Sequence, residues 1–185
     1  MAAVAAFGAL VATELPGVVA SPVVSFAAAR ACLSDPGAQM LILGLDAADL
    51  LRRGLPFDRC SIGALVDLPD ALVAEAGGRA ELARALGVTL LVTEERGRVI
   101  LNADDPALLA LAEYVQAPVI LMSATGANPA LVRQRALGGS AIFYRDGMII
   151  VAQGGAERAM PPAVDEPAAA LTLAALRLAR ELALG

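Results

Sequence analysis

Carboxylates are the side chains of this sequence best suited to chemistry, and one pair of them follows a short apolar stretch. Val99 to Asn102 is predicted to be a buried strand, and Asp104-Asp105-Pro106 then ends it and starts a helix. An aspartate there can accept hydrogen bonds from the free N–H groups of the helix, and proline suits its first turn. From these residues alone we interpret Asp104 and Asp105 as a helix cap.

Two other groups of charged residues have less specific spacing. Asp46 and Asp49 are three residues apart, so they would lie on one turn of a helix. We interpret them as a solvated helix face rather than a metal site. The stretch Glu94-Glu95-Arg96 is predicted to be a solvated turn. The sequence therefore predicts neither a metal site nor a bound cofactor.

The basic residues exclude several classes of enzyme. All fourteen are Arg, and the sequence contains no His and no Lys. Histidine is the commonest general base and metal ligand, and a lysine completes phosphate-binding loops. Ser61, Ser123 and Ser140 therefore have no histidine partner for a hydrolase triad. The glycine pairs at 138–139 and 154–155 precede no lysine-bearing helix and are predicted to be turns.

Composition favours one compact domain over residues 1–185. The sequence is 58% apolar, much of it alanine, and its net charge of −5 argues against a nucleic-acid partner. Residues 2–13 lack the basic start of a signal peptide and are too short to cross a membrane, so they predict a buried helix. Cys32 and Cys60 are interpreted as buried free thiols in a reducing compartment. These features predict a cytoplasmic protein without a membrane partner.

Short apolar runs alternate with helical segments along the chain. This order predicts an α/β fold with a mostly parallel sheet and helices on both faces. Residues 141–152 predict a β-hairpin at one side, with Asp146-Gly147 as its turn. Strands are further predicted at 18–20, 40–43, 60–66, 88–93, 99–102 and 118–123, those at 40–43, 61–66, 99–102 and 119–122 being buried. Helices are predicted at 21–33, 46–53, 70–76, 81–86, 108–115, 128–137 and 165–184, and a loop at 154–162.

Several stretches resemble the Mur ligase superfamily, most closely the C-terminal ligase module of cyanophycin synthetases. Leu101-Asn-Ala-Asp-Asp-Pro106 resembles the nucleotide-side loop of that family. The resemblance spans nearly the whole chain and makes 81–95 a single helix. It is further carried by Arg30 to Pro36, Phe57-Asp-Arg-Cys60, 138–147 and 165–185.

The resemblance implies a fold of the Mur ligase central-domain type and ATP-dependent formation of an amide bond through an acyl phosphate. The family's phosphate-binding loop, and the strand that leads into it, would precede Met1. The positions of its catalytic Glu, its His and its Lys fall on Gly44, Leu72 and Leu86, and its Arg-Gly-Gly falls on 47–49. Only the adenine-side residues are kept, namely Asn102, Asp104 and Asp105, which would form a remnant nucleotide contact.

This pattern predicts a non-catalytic member of the family that acts as a structural or interaction protein. One alternative is a subunit of a composite ATP-dependent amide ligase whose phosphate-binding loop comes from a partner chain. Another is a small-molecule or nucleotide-binding module. We expect a homodimer, or a hetero-oligomer with a ligase, formed through the helix at 2–13, the Leu-rich helix at 167–184 or an exposed sheet edge.

Overall fold

The computed structural model describes residues 18–24, 26–34 and 40–184. The chain forms two compact units, residues 1–58 and residues 59–185. We describe each unit by itself, and the single domain that the sequence predicts stays a prediction. The helix predicted at 2–13 lies outside the described residues.

The first unit contains a two-stranded parallel sheet and two helices. Strand β1 (Val18–Val24) pairs with strand β2 (Met40–Leu45), and the helices are α1 (Phe26–Leu33) and α2 (Ala47–Arg53). Helix α2 begins where Oδ1 of Asp46 accepts a hydrogen bond from the backbone N–H of Asp49, at 2.8 Å. It ends at Gly54, whose φ of +75° is a conformation that glycine adopts readily.

Two sequence predictions for this unit need correction. The helix predicted from Ser21-Pro22 is wrong at its start, because the strand continues to Val24. The β1–β2 register shifts between Ser21 and Val24, where Pro22 lacks an N–H for the ladder. The strand at 40–43 is confirmed, but residues 41–45 are partly exposed rather than buried.

The second unit contains a six-stranded sheet. Its strands are β3 (Cys60–Leu65), β4 (Thr93–Asn102), β5 (Val119–Ser123), β6 (Ser140–Arg145), β7 (Met148–Gln153) and β8 (Ala156–Met160). Its helices are α3 (Asp70–Val73), α4 (Arg79–Leu86), α5 (Val88–Leu91), α6 (Pro106–Leu109) with a 3₁₀ turn (Ala110–Glu113), α7 (Pro129–Ala136) and α8 (Pro167–Leu184).

The strands lie side by side in chain order, β3-β4-β5-β6-β7-β8. Strands β3 to β6 are parallel to one another. Strand β7 is antiparallel to β6, and β8 is antiparallel to β7. Val99, Ile100 and Leu101 are consecutive in β4 and all fully buried, although successive strand side chains point to opposite faces. Both faces are therefore covered, which confirms the predicted α/β class with a mostly parallel sheet.

Helix α8 packs along the sheet and contacts β3, β4, β5, β6 and β7. Every residue from 170 to 176 is buried. These residues are therefore part of the core of the chain and offer no free face for self-association. Among the described helices, none is long and apolar enough to cross a membrane.

The hairpin is confirmed, but three other segments differ from the sequence predictions. Glu94-Glu95-Arg96, predicted to be a solvated turn, is exposed but lies within strand β4. Residues 88–91 form the short helix α5 rather than a strand, and 81–95 is not a single helix. The loop predicted at 154–162 contains the strand β8, which pairs with β7. Strand β3 is confirmed, yet only Gly63 within it is buried. Cys32 and Cys60 are both free and partly exposed, whereas burial was predicted.

Candidate functional site

The candidate site lies at the carboxyl edge of the sheet in the second unit. Asn102 is the last residue of β4, and Asp104 and Asp105 follow it after Ala103. Ser123 is the last residue of the neighbouring parallel strand β5, so both strands end at the same edge. Ligands of open α/β sheets bind at this edge, so the location fits either a nucleotide contact or a loop scaffold.

Asn102 joins the loops that follow β3 and β4. Its Nδ2 donates a hydrogen bond to the carbonyl oxygen of Val66, at 3.2 Å. Its Oδ1 accepts one from the backbone N–H of Asp104, at 3.0 Å. Both ends of the amide are therefore used inside the protein, and the side chain fixes the start of the loop.

Asp104 is exposed, yet its carboxylate accepts three hydrogen bonds from the protein. Its Oδ1 accepts from Oγ of Ser123 at 2.6 Å and from Nδ2 of Asn128 at 2.9 Å. Its Oδ2 accepts from the backbone N–H of Ala124 at 2.7 Å. This carboxylate ties the loop after β4 to the loop after β5.

Asn128 completes this connection while it also starts helix α7. Its Nδ2 donates to the carbonyl oxygen of Ala103 at 3.1 Å, and its Oδ1 accepts from the backbone N–H of Ala130 at 2.9 Å. Pro129 follows at the first turn, as Pro106 follows Asp105. The same cap-and-proline pattern therefore begins α6 and α7 on either side of the site.

Asp105 is the helix cap that the sequence predicts. It is 8% exposed, and its Oδ1 accepts from the backbone N–H of Ala107 at 2.9 Å. Its Oδ2 faces Arg79, which also contacts Asp70 through Nη1 at 2.8 Å. The hydrogen bond to Asp105 raises the pKa of the Arg79 guanidinium above its ordinary value.

The structure thus joins Asn102 and Asp104 in one hydrogen-bond network with Ser123 and Asn128, whereas the adjacent Asp105 bonds separately to Ala107 and Arg79. Sequence reasoning did not include Arg79, Ser123 and Asn128 among the partners of these residues. The predicted end of β5 and the predicted helix start at Asn128-Pro129 were signals for two of them, because parallel strands bring their following loops together. The remnant nucleotide contact stays a prediction.

The other acidic pair also has structural partners. Asp46 caps α2, and Oδ1 of Asp49 lies 3.4 Å from Nη2 of Arg52 and 3.9 Å from Nε of Arg53. Within the described residues, no group of three or more Cys, Asp or Glu side chains is placed to hold a metal ion. The resemblance expects a His and a Lys at two positions of the second unit. The first is Leu72, which is half-buried, and the second is Leu86, which is 2% exposed in the core.

The fold and this edge network define an α/β protein with a parallel sheet whose carboxyl-end loops hold each other in place. A family profile described as "Domain of unknown function (DUF4938)" matches residues 12–122, more than half of the chain, and the chain belongs to that family.

Cyanophycin synthetases are among the curated relatives. The protein from Crocosphaera subtropica is 30% identical over 153 residues, which are 82% of this chain and 18% of the relative. That from Synechocystis sp. is 30% identical over 128 residues, 68% of this chain and 15% of the relative. The protein from Geminocystis herdmanii is 25% identical over 124 residues, which are 66% of this chain and 14% of the relative. The chain therefore spans less than a fifth of the length of these relatives.

Proposed function

We propose that this chain is a non-catalytic domain of the cyanophycin synthetase type, within the Mur ligase superfamily, and that it acts as a structural or interaction protein. Its similarity to part of several cyanophycin synthetases supports the relationship. Membership of the superfamily rests on the sequence stretches that resemble it. We place the protein in the cytoplasm, which two free cysteines support.

One observation carries the proposal. The two carboxylates of the loop that resembles a nucleotide-side loop are both engaged by the protein itself. Asp105 is buried between a helix N-terminus and Arg79, and Asp104 accepts three hydrogen bonds. Asp105 has little exposed surface, and three of the about four acceptor positions of the exposed Asp104 carboxylate are already used by the carboxyl-edge loops. The loop is therefore built as a scaffold.

The chemistry of the remaining residues points the same way. Phosphoryl transfer depends mainly on positioning and on neutralising negative charge, for which ligases use lysine, histidine and magnesium-binding carboxylates. This chain has no Lys and no His, and the corresponding positions hold Gly44, Leu72 and Leu86. An acyl phosphate formed at this edge would find no lysine or histidine of this chain, and the guanidinium of Arg79 at this edge already contacts Asp105 and Asp70.

The alternative of a composite ligase requires a second protein chain. A partner chain, such as a complete ligase, would have to supply the phosphate-binding loop and its lysine. This chain would then contribute Asn102, Asp104 and Asp105. The partial coverage of the cyanophycin synthetases favours this alternative as the second candidate, because a segment of a larger enzyme can act beside other segments.

Thermal unfolding with and without magnesium-ATP distinguishes these roles. Saturation at a hundred times the Kd stabilises a protein by about 2.7 kcal/mol, which raises the Tm by several degrees. We expect magnesium-ATP to cause no rise in the Tm of this chain, either alone or in a mixture with a cyanophycin synthetase whose own Tm shift is measured separately. A rise for the chain alone would indicate a nucleotide-binding module, and a rise only with the partner would indicate the composite ligase. Either rise would contradict the proposed role.

A further inference from the structure

The aromatic ring of Phe143 lies where three strands of the second unit meet side by side. Phe143 belongs to β6 and is 1% exposed. It pairs directly with Ile150 of β7, which in turn pairs with Ala159 of β8. Residues that pair directly point to the same face, and so do residues two apart in one strand. Phe143, Arg145 and Glu157 therefore lie on one face of the sheet.

The loop after β5 packs against this ring without free space between them. A Cβ atom added at Gly126 would lie 2.5 Å from Cε2 and 2.7 Å from Cδ2 of Phe143, closer than Cβ contacts in proteins come. The preceding residue, Thr125, accepts a hydrogen bond from Oγ of Ser123 at 3.0 Å, so the loop is fixed to the carboxyl edge of the sheet. Because the contact is close-packed, a shift of the loop toward the sheet must displace the ring.

Two arginines from different elements lie over the same ring and share one carboxylate. Cζ of Arg135, on helix α7, is 5.3 Å from the ring centre, and Cζ of Arg145, at the end of β6, is 5.9 Å from it. Nη2 of Arg135 contacts Oε1 of Glu157, and Nη2 of Arg145 lies 2.6 Å from Oε2. We call Arg135, Arg145 and Glu157 the Glu157 cluster. Since Glu157 belongs to β8, this cluster attaches the edge strand to α7 and β6.

The geometry of the Glu157 cluster depends on the ring below it. Nε of Arg135 is buried and has no hydrogen-bond partner in the part of the chain that the structure describes. No acceptor therefore fixes this part of the guanidinium, which rests on the ring. The hydrogen bond from Arg145 is the main cause that lowers the pKa of Glu157, and Arg135 adds to it. A displaced ring would move both guanidinium groups and weaken their contacts with Glu157.

We propose that Phe143 couples the loop after β5 to the edge strand β8. A molecule that binds at the carboxyl edge and shifts the loop displaces the ring, and the Glu157 cluster then holds β8 less firmly. Coupling of this kind is reciprocal, so a partner that alters β8 also acts on the loop. Ligands of α/β sheets bind at the carboxyl edge, and an edge strand such as β8 has unpaired backbone groups on its outer side. The coupling therefore joins two places suited to binding, and it does not depend on the non-catalytic role.

The pKa of Glu157 in the folded chain, followed by NMR of its carboxyl carbon, tests the proposal. Gly126→Ala forces the ring to move, and we expect it to raise the pKa of Glu157 toward the ordinary value of 4.5. The backbone amides of β8 should also exchange with solvent about fivefold faster. A general loss of stability would not raise a pKa that is measured in the folded state. Ala127→Ser is the matched control, because it adds one atom at an exposed position of the same loop, and it should change neither quantity.

Two further variants make the test specific to the ring. In a Phe143→Leu background, Gly126→Ala should have no further effect on the pKa of Glu157, because leucine leaves room for the added methyl group. Glu157→Gln keeps the shape of the side chain and should shift the NMR signals of the loop amides at 124–127, which decides the question if Gly126→Ala does not fold.

Four results would each overturn the coupling. These are an unchanged pKa of Glu157 in folded Gly126→Ala, an equal change in Ala127→Ser, a shift that persists in the Phe143→Leu background, and unaffected loop signals in Glu157→Gln. None of them involves ATP, so they leave the non-catalytic role to be judged by the magnesium-ATP measurements. Circular dichroism of each variant verifies that the fold is unchanged.

Discussion

Arg79 and Asp105 meet through two contacts on one carboxylate oxygen. Nε of Arg79 donates a hydrogen bond to Oδ2 of Asp105 at 2.9 Å, and Nη2 of Arg79 lies 2.7 Å from the same atom. The arginine is the first residue of α4, and the aspartate caps α6. The pair therefore joins two helices at the edge of the sheet where a nucleotide would otherwise be expected.

Substitutions of Asp105 separate the helix cap from the ion pair. Asp105→Ala removes both, and we expect it to lower the free energy of unfolding by about 2 kcal/mol, mainly through the lost cap. Asp105→Asn keeps Oδ1 as the acceptor for Ala107, and should cost clearly less because Arg79 is partly exposed. Urea unfolding measures both changes. Equal losses for the two variants would contradict the cap as the main contribution.

Asp104 and Ser123 should be energetically coupled. Ser123 is fully buried and donates to Asp104, so either substitution to Ala removes this one hydrogen bond from the other partner. We expect each to cost about 1–3 kcal/mol in unfolding free energy, and the double variant to cost less than the sum by about 0.5 kcal/mol or more. Glu113→Ala, an exposed position, is the control and should change stability by less than about 0.5 kcal/mol. Additive losses would contradict the coupling.

Glu157 should make stability depend on pH in the acid range. The hydrogen bond from Arg145 is the main cause that lowers the pKa of Glu157 below its ordinary value of 4.5, with Arg135 adding to it. Both guanidinium groups lie over the Phe143 ring, 5.3 and 5.9 Å from its centre. Because the folded-state pKa is depressed, the stabilisation is complete above about pH 4.5 and is lost as pH falls through the folded-state value.

Thermal unfolding of the Glu157→Gln variant between pH 7 and pH 3 checks this dependence. The variant should be less stable than the unchanged protein at pH 7, and the difference should shrink steadily below about pH 4.5. The exposed Glu95 supplies a matched control, and Glu95→Gln should follow the unchanged protein throughout. A stability difference that stays constant with pH would show that the carboxylate charge of Glu157 contributes nothing.

Self-association remains a prediction, and Leu176 of helix α8 is not a position at which a substitution can test it. Leu176 is 7% exposed within the chain, so Leu176→Glu would bury a charge and unfold the protein rather than split a dimer. We expect sedimentation at micromolar concentration to show a species near twice the chain mass of 18.7 kDa. A clean species at 18.7 kDa would contradict the dimer. A soluble, folded Leu176→Glu variant would contradict the burial of α8.

The fold was predictable where the local sequence and the final environment agree. Asp146-Gly147 predicts a tight hairpin turn, and both residues adopt positive φ, +52° and +74°. Strand β8 was missed because Ala-Glu-Arg-Ala-Met has no β-branched residue and no clear alternation. It becomes a strand because β7 offers a neighbouring edge. Residues 88–91 differ in the opposite direction. Their β-branched residues predict a strand, but in the structure they form the short helix α5 just before β4.

The candidate site was predictable in part. The acidic cap followed from Asp105-Pro106 alone, since cap chemistry is local. The partners of Asp104 depend on which strands are neighbours, because Ser123 and Asn128 are about twenty residues away along the chain. Arg79 follows a glycine pair that indicates only a turn, so no sequence pattern places its guanidinium beside Asp105.

Magnesium-dependent ATP hydrolysis by the purified chain tests the central proposal most directly. The proposal predicts no phosphate release above a protein-free control. The variant that carries both Asp104→Ala and Asp105→Ala should give the same background. Steady release by the unchanged chain that disappears in this variant would contradict the non-catalytic role, because those carboxylates would then serve catalysis as well as the scaffold.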